Sequence, residues 1–174
     1  MDPLEFEITI DRPREVVFEY LADIANHAEF TDHFMVDWRL TREDSYGVGA
    51  GARWKTKAPF NRFPWGDSTI VEADRPRRIV EVGRMGKYNR NRTIGVYELE
   101  PAGNGTKVRF TFESEPKLPS DKLLERLGGG WLKRKLRKSM KRLQSILEED
   151  YGRGTRPTIA GGARKPATGS PFRG

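Results

Sequence analysis

Few side chains in this 174-residue chain are placed to do chemistry, and their spacing excludes most reactions. There is no cysteine, so disulfides, thiolate nucleophiles and thiolate metal sites are all ruled out. There is no glycine-flanked nucleophile serine and no phosphate-cradling P-loop. The two histidines, His27 and His33, stand with Glu29 and Asp32 at spacings of two, three and one. That pattern matches neither HExxH nor a compact structural zinc site, so we expect no metal and no cofactor. What remains is proton transfer. A dry cavity that folds a reactive chain needs only one acid or base to drive a cyclisation or dehydration, and Tyr97, Glu81 and His33 are the candidates. Glu81 alternates with Val80 and Val82, which predicts the solvent face; Tyr97 reads as an amphipathic core tyrosine. No residue is assigned a catalytic role.

The elements that must carry these residues are mostly short alternating strands. Leu4, Phe6, Ile8 and Ile10 alternate with Glu5, Glu7 and Thr9, a half-buried strand. Asp11 and Pro13 then mark a helix start, with Val16, Val17, Tyr20, Leu21 and Ile24 on its buried side. A second short helix follows over Ile24 to Phe30, broken near Asn26. Val36, Trp38 and Leu40 share one strand face, and Ala52, Trp54 and Thr56 another across the glycine-rich turn at 47–51. Residues 66–72 and 77–83 form two strands around the Asp74-Arg75-Pro76 turn. Thr93, Gly95, Tyr97 and Leu99 lie on one face ahead of an Asn104-Gly105 hairpin turn, and Val108, Phe110 and Phe112 follow it. Pro116 and Pro119 end the sheet, and Ser120 is placed to cap the last helix.

That helix, Leu118 to Asp150, organises the rest. Leu132, Leu136, Met140, Leu143 and Leu147 recur at spacings of four, four, three and four, a stripe that only the sheet can cover. A bend or loop is expected at Gly128-Gly129-Gly130, because each glycine costs about 1 kcal/mol relative to alanine inside a helix. One long helix across a curved sheet leaves space between the layers. Phe34, Trp38, Trp54, Tyr97, Phe110, Leu136, Met140 and Leu143 have the phase to line that cavity, and aromatic walls suit flat or chain-like apolar molecules. The alternative for each is closed core packing. The loop Pro59–Trp65, with three aromatics, reads as a pocket lid, a contact surface or a core cap. The cations of residues 84–92, if near the pocket mouth, would favour an acidic head group.

Charge is unevenly spread. Of the net +7, residues 151–174 contribute +5, through Arg153, Arg156, Arg164, Lys165 and Arg173 with no acid. With six glycines and three prolines, that stretch reads as a disordered basic tail beyond a folded unit at 1–150. The body is nearly neutral, so specific nucleic-acid binding is not expected. One local exception is the last helix, which packs seven cations into residues 133–142. Lys133, Arg134, Lys138 and Lys141 form a candidate patch for anionic partners or transient contact with an anionic membrane.

The order of elements, together with several local strings, resembles the START-like (Bet v 1-like, SRPBCC) superfamily, in its bacterial polyketide cyclase/dehydrase and lipid-transport branch. The strings are residues 11–23 (DRPREVVFEYLAD), 26–30 (NHAEF), 49–54 (GAGARW), 72–79 (EADRPRRI), 97–101 (YELEP) and 105–108 (GTKV). The resemblance implies an α+β helix-grip fold: a seven-stranded antiparallel sheet wrapped around a long C-terminal helix, with two short helices after strand 1 and an enclosed hydrophobic cavity. It carries over architecture, not an activity. Noncovalent binding, with transport, of a small hydrophobic or amphipathic ligand is the first expectation. A cyclase/dehydratase-like enzyme and an interaction protein docking through its basic helix are the alternatives. The acidic N-terminal strand is unlike a secretory signal, so the cytoplasm is the expected compartment.

Overall fold

The computed structural model describes residues 2–58, 62–154, 157–159 and 162–163. Strand β1 (Leu4–Ile10) is followed by helix α1 (Arg14–Ala22), a 3-10 turn at Ile24–Asn26 and the short helix α2 (His27–Thr31). Six strands come next: β2 (Met35–Leu40), β3 (Gly51–Thr56), β4 (Trp65–Asp74), β5 (Arg78–Met85), β6 (Asn91–Ala102) and β7 (Gly105–Glu115). Helix α3 spans Pro119–Glu149. The sheet order is β1-β7-β6-β5-β4-β3-β2, and every pairing within that set is antiparallel. This is the helix-grip architecture: a seven-stranded sheet curved around one long helix.

The period-2 pattern fixes which face each strand turns inward. Ile79, Tyr97, Phe110 and Phe6 form one cross-strand row, through the partners Ile79–Tyr97, Tyr97–Phe110 and Phe6–Phe110. All four are buried. The β6–β7 hairpin closes one residue earlier than the sequence suggests. Ala102 pairs with Gly105, leaving Gly103 and Asn104 as the turn, with Gly103 at φ 60°. Gly105 is needed for another reason: a Cβ there would run into the Ile10 carbonyl of β1. In β2 the expected face breaks at Asp37, whose φ of 53° accompanies a register shift between Val36 and Arg39. Trp38 and Leu40 stay buried, while Val36 does not.

Helix α3 corrects two expectations. It runs unbroken through Gly128-Gly129-Gly130, where no bend or loop interrupts it. Ser120 is not its cap: Leu118 is, Pro119 opens the first turn, and the Asp121 carboxylate accepts the Leu118 N–H at 3.3 Å. Leu136, Met140, Leu143, Ile146 and Leu147 are buried against the sheet and the short helices. Its first half is different. Leu123, Leu124 and Leu127 are exposed, the last to 75%.

Beyond α3, part of the segment expected to be a disordered tail lies outside the described residues. Of the remainder, Gly154 N–H donates to the Glu29 carbonyl at 2.8 Å, and Arg153 reaches the Glu29 carboxylate. Strand β8 (Thr158–Ile159) lies parallel to β2 through Thr158 and Arg39, and β9 (Gly162–Ala163) pairs with β8.

Candidate functional site

Between α3 and the concave face lies a chamber of about 80 Å³. Its walls come from every layer. The sheet supplies Trp38, Trp54, Tyr97, Phe110 and Phe112, α2 and its exit supply Phe30 and Phe34, and α3 supplies Leu132, Leu136 and Met140. Aromatic pairs stiffen these walls: Trp38 stacks on Trp54 at 5.0 Å and Tyr97 on Phe110 at 4.5 Å. Gly95 and Gly83 line the same space; a side chain at Gly95 would crowd the Phe110 ring, and a Cβ at Gly83 would run into the Asp67 carbonyl of β4. A wider cleft of about 450 Å³ lies between the first half of α3 and the β5–β6 connection. Thr56, Met85, Phe112 and Leu132 line both spaces, so the cleft is the mouth of the chamber.

Seven of the eight residues expected at a cavity line this chamber: Phe34, Trp38, Trp54, Tyr97, Phe110, Leu136 and Met140. Leu143 lies in the closed core, fully buried, one turn beyond the chamber. Met35 lines it where Val36 was in phase, because the left-handed Asp37 resets β2.

The expectation for Glu81 is overturned. It faces inward, because the apolar partners of its face are Ile79 and Met85; Val80 and Val82 belong to the other side. Period-2 alternation pairs the residues of a face but does not say which face is inside. Glu81 accepts from Ser68 Oγ at 3.0 Å, and its Oε1 stands 3.0 Å from His27 Nδ1. That approach is off the line of a good hydrogen bond, so Oε1 keeps acceptor capacity. His27 is buried, and its Nε2 lies 2.8 Å from the Leu21 carbonyl, which can only accept. With Nε2–H committed there, a neutral ring would set the Nδ1 lone pair against the Glu81 carboxylate. Only the imidazolium turns a proton, and not a lone pair, toward each neighbour.

Two opposed histidine titrations follow. Burial works against charge on His27, but Glu81 and the Leu21 carbonyl outweigh it and hold the pKa above 6.5. Its stabilising contribution is complete below about pH 6.5 and is lost as pH rises through the folded pKa. For His33, burial and the nearby Arg142, Lys138 and Lys135 lower the pKa, despite a bond at 3.2 Å to the Lys135 carbonyl. Its contribution is present above pH 6.5 and is lost as pH falls through the folded value. An NMR titration of the two imidazoles should give midpoints on opposite sides of 6.5; two midpoints together at 6.5 would contradict the geometry. Burial, then Glu81, raises the Tyr97 pKa well above its usual value, so Tyr97 is a neutral phenol.

The family profile for polyketide cyclase/dehydrase and lipid transport matches residues 1–148, the sheet and α3 almost entire. The chain belongs to that family. No curated protein matches it in sequence. Among solved structures, this family member is similar to a Thermus thermophilus protein at TM-score 0.62 and 17% identity, covering 83% of this chain and 96% of that one. A Chromobacterium violaceum protein gives 0.57 and 18%, covering 86% and 100%. The ginseng major latex-like protein 151 of Panax ginseng gives 0.59 and 14%, covering 83% and 96%. At these identities the likeness establishes the shared fold.

The other candidate residues of this START-like protein are dispersed. His27, Glu29, Asp32 and His33 form no metal-binding group, and no such group occurs among the described residues. Glu29 accepts from Tyr20 and Arg153, and Asp32 from Arg142. In the loop at 59–65, Pro59, Phe60 and Asn61 lie outside the described residues. Phe63 lines the cleft, while Trp65 carries Arg39, Arg53 and Lys55 over its ring. Of the cations at 84–92, Lys87 and Arg90 reach the mouth, but Arg90 is held by Asp121 at 2.5 Å. Lys133, Arg134, Lys138 and Lys141 are all exposed. Arg142, read as part of the same basic run, is structural: it bonds Asp32, the Glu29 carbonyl and the Gly152 carbonyl. Ser68, Glu81 and Thr93 were missed as lining residues, although each keeps strand phase with a buried apolar or glycine neighbour two positions away.

Proposed function

We propose that this family member binds a small hydrophobic or amphipathic molecule noncovalently in the chamber and carries it, in the cytoplasm, between partners. The observation that supports this most is the continuity of an aromatic-walled chamber with an open cleft, which gives an apolar ligand both a seat and an entrance. Burial of ligand surface at about 25 cal/mol per Å² would supply the affinity. Native mass spectrometry of gently purified protein, offered a lipid and metabolite extract, should show a reproducible bound mass. Gly95→Leu should abolish it, since a Cβ at Gly95 already stands 3.4 Å from the Phe110 ring and a longer side chain fills the chamber. Retention of the same mass by the variant would place the ligand elsewhere.

A second reading concerns where loading occurs. Leu123, Leu124 and Leu127 are exposed on the half of α3 that borders the mouth, and Lys133, Arg134, Lys138 and Lys141 are exposed just beyond. Apolar and cationic groups side by side favour docking on an anionic bilayer. No helix among the described residues is long and apolar enough to cross a membrane. Co-sedimentation with phosphatidylglycerol vesicles, weakened when the four cations are neutralised and absent with phosphatidylcholine, is the expected result. Equal sedimentation of wild type and variant would remove this reading.

A further inference from the structure

The chamber has a polar end. Glu81, His27 and Tyr97 lie at its closed side, four residues along β5 from Met85 at the mouth, or about 13 Å at strand rise. A carboxylate offers about four acceptor positions. On Glu81 one oxygen takes the Ser68 hydroxyl, and the other pairs with His27 at 3.0 Å off the hydrogen-bond axis, which leaves it a lone pair open to a further donor. The carboxylate, its side chain 13% exposed and its Oε1 buried, thus stands beside its imidazolium with acceptor capacity to spare, in a wall of aromatic, aliphatic and hydroxyl side chains. Nearer the mouth the unpartnered atoms are of the opposite kind. Among the described residues Trp54 Nε1 and Thr56 Oγ1 have no partner, and both residues are more than nine-tenths buried; each can donate.

Resting on the pocket reading above, we infer that the chamber takes a hydroxylated, neutral apolar molecule, such as a phenol or enol, head first, its hydroxyl donating to the Glu81 carboxylate. A carboxylate-headed ligand is disfavoured at this end, because it would set like charge beside Glu81 in a dry site. An ether or an unsubstituted ring leaves the Glu81 acceptor unmet, and a site built to bond a hydroxyl rejects such analogues strongly.

Calorimetric titration of the full chain with 2-naphthol, 2-methoxynaphthalene and 2-naphthoate tests this. The naphthol should bind roughly tenfold or more tightly than its methyl ether, in line with a hydrogen bond to a charged acceptor, and the naphthoate should bind most weakly. Glu81→Met, which keeps the volume without the acceptor, should shrink the naphthol preference to less than about threefold. The wild-type comparison stands alone if that variant does not fold. Equal binding of all three probes, or tightest binding of the naphthoate, overturns the inference and leaves the pocket intact. Binding of none of them, with no change in the signals of Trp38 and Trp54, overturns the pocket reading itself.

Discussion

Arg153→Ala should destabilise the protein by about 2–4 kcal/mol, by removing the cation paired with a buried carboxylate. Glu29 is only 2% exposed, and its carboxylate takes the Arg153 guanidinium at 2.6 Å and the Tyr20 hydroxyl at 2.8 Å. Arginine removal takes the cation away from a buried carboxylate that keeps the Tyr20 phenol as a donor. The magnitude sits below the usual range for a broken buried pair because Arg153 is partly exposed, and water can follow it in. The guanidinium also lies over the Tyr20 ring at 5.9 Å and bonds Asp150, so Arg153→Lys should recover only part of the loss. Urea unfolding at neutral pH, with an unchanged denaturant slope, measures both variants. A loss within about 0.5 kcal/mol, as at ordinary surface sites, would mean that the segment after α3 is not docked on α2.

Leu143→Ala should cost about 3–5 kcal/mol, and Leu127→Ala within about 0.5 kcal/mol. Both are leucines of one helix, sixteen residues apart. Leu143 is fully buried where α3 meets the closed core, and its truncation leaves a hole that neighbouring residues cannot fill. Leu127 is 75% exposed. The same unfolding measurement on each variant decides the matter; similar losses at both positions would show that the first half of α3 is packed as tightly as the second.

What the sequence revealed, and what it hid, follows from the physics of pattern. Strand faces were legible where large apolar residues alternated along an unbroken register, as with Val108, Phe110 and Phe112. The stripe from Leu132 to Leu147 likewise placed the second half of α3. Glu81 was illegible, because a lone carboxylate between two valines looks like the wet side of a strand. Its inward neighbours include Gly83, which carries no hydrophobic signal at all. The β2 irregularity was hidden for a different reason: aspartate is among the few non-glycine types that turn left-handed, but Asp37 sits mid-strand between alternating apolar residues that mask it. Helix propensity misled at Gly128–Gly130, where flanking turns carry the backbone through. Arg142 shows the limit of reading charge in bulk, since one of seven clustered cations serves the fold and not a partner.

The uneven anchoring of α3 decides how a guest would leave. Its second half is clamped by Arg142 and by buried side chains, while the first half carries three solvent-facing leucines and glycines 128 and 130 with open space around them. Amides near 120–130 should therefore exchange with deuterium far sooner than those near 140, since opening there breaks few packed contacts. Release of a bound guest would then need the Arg90–Asp121 pair to part and one end of a rod to fray, with the barrel-like grip around the other end undisturbed.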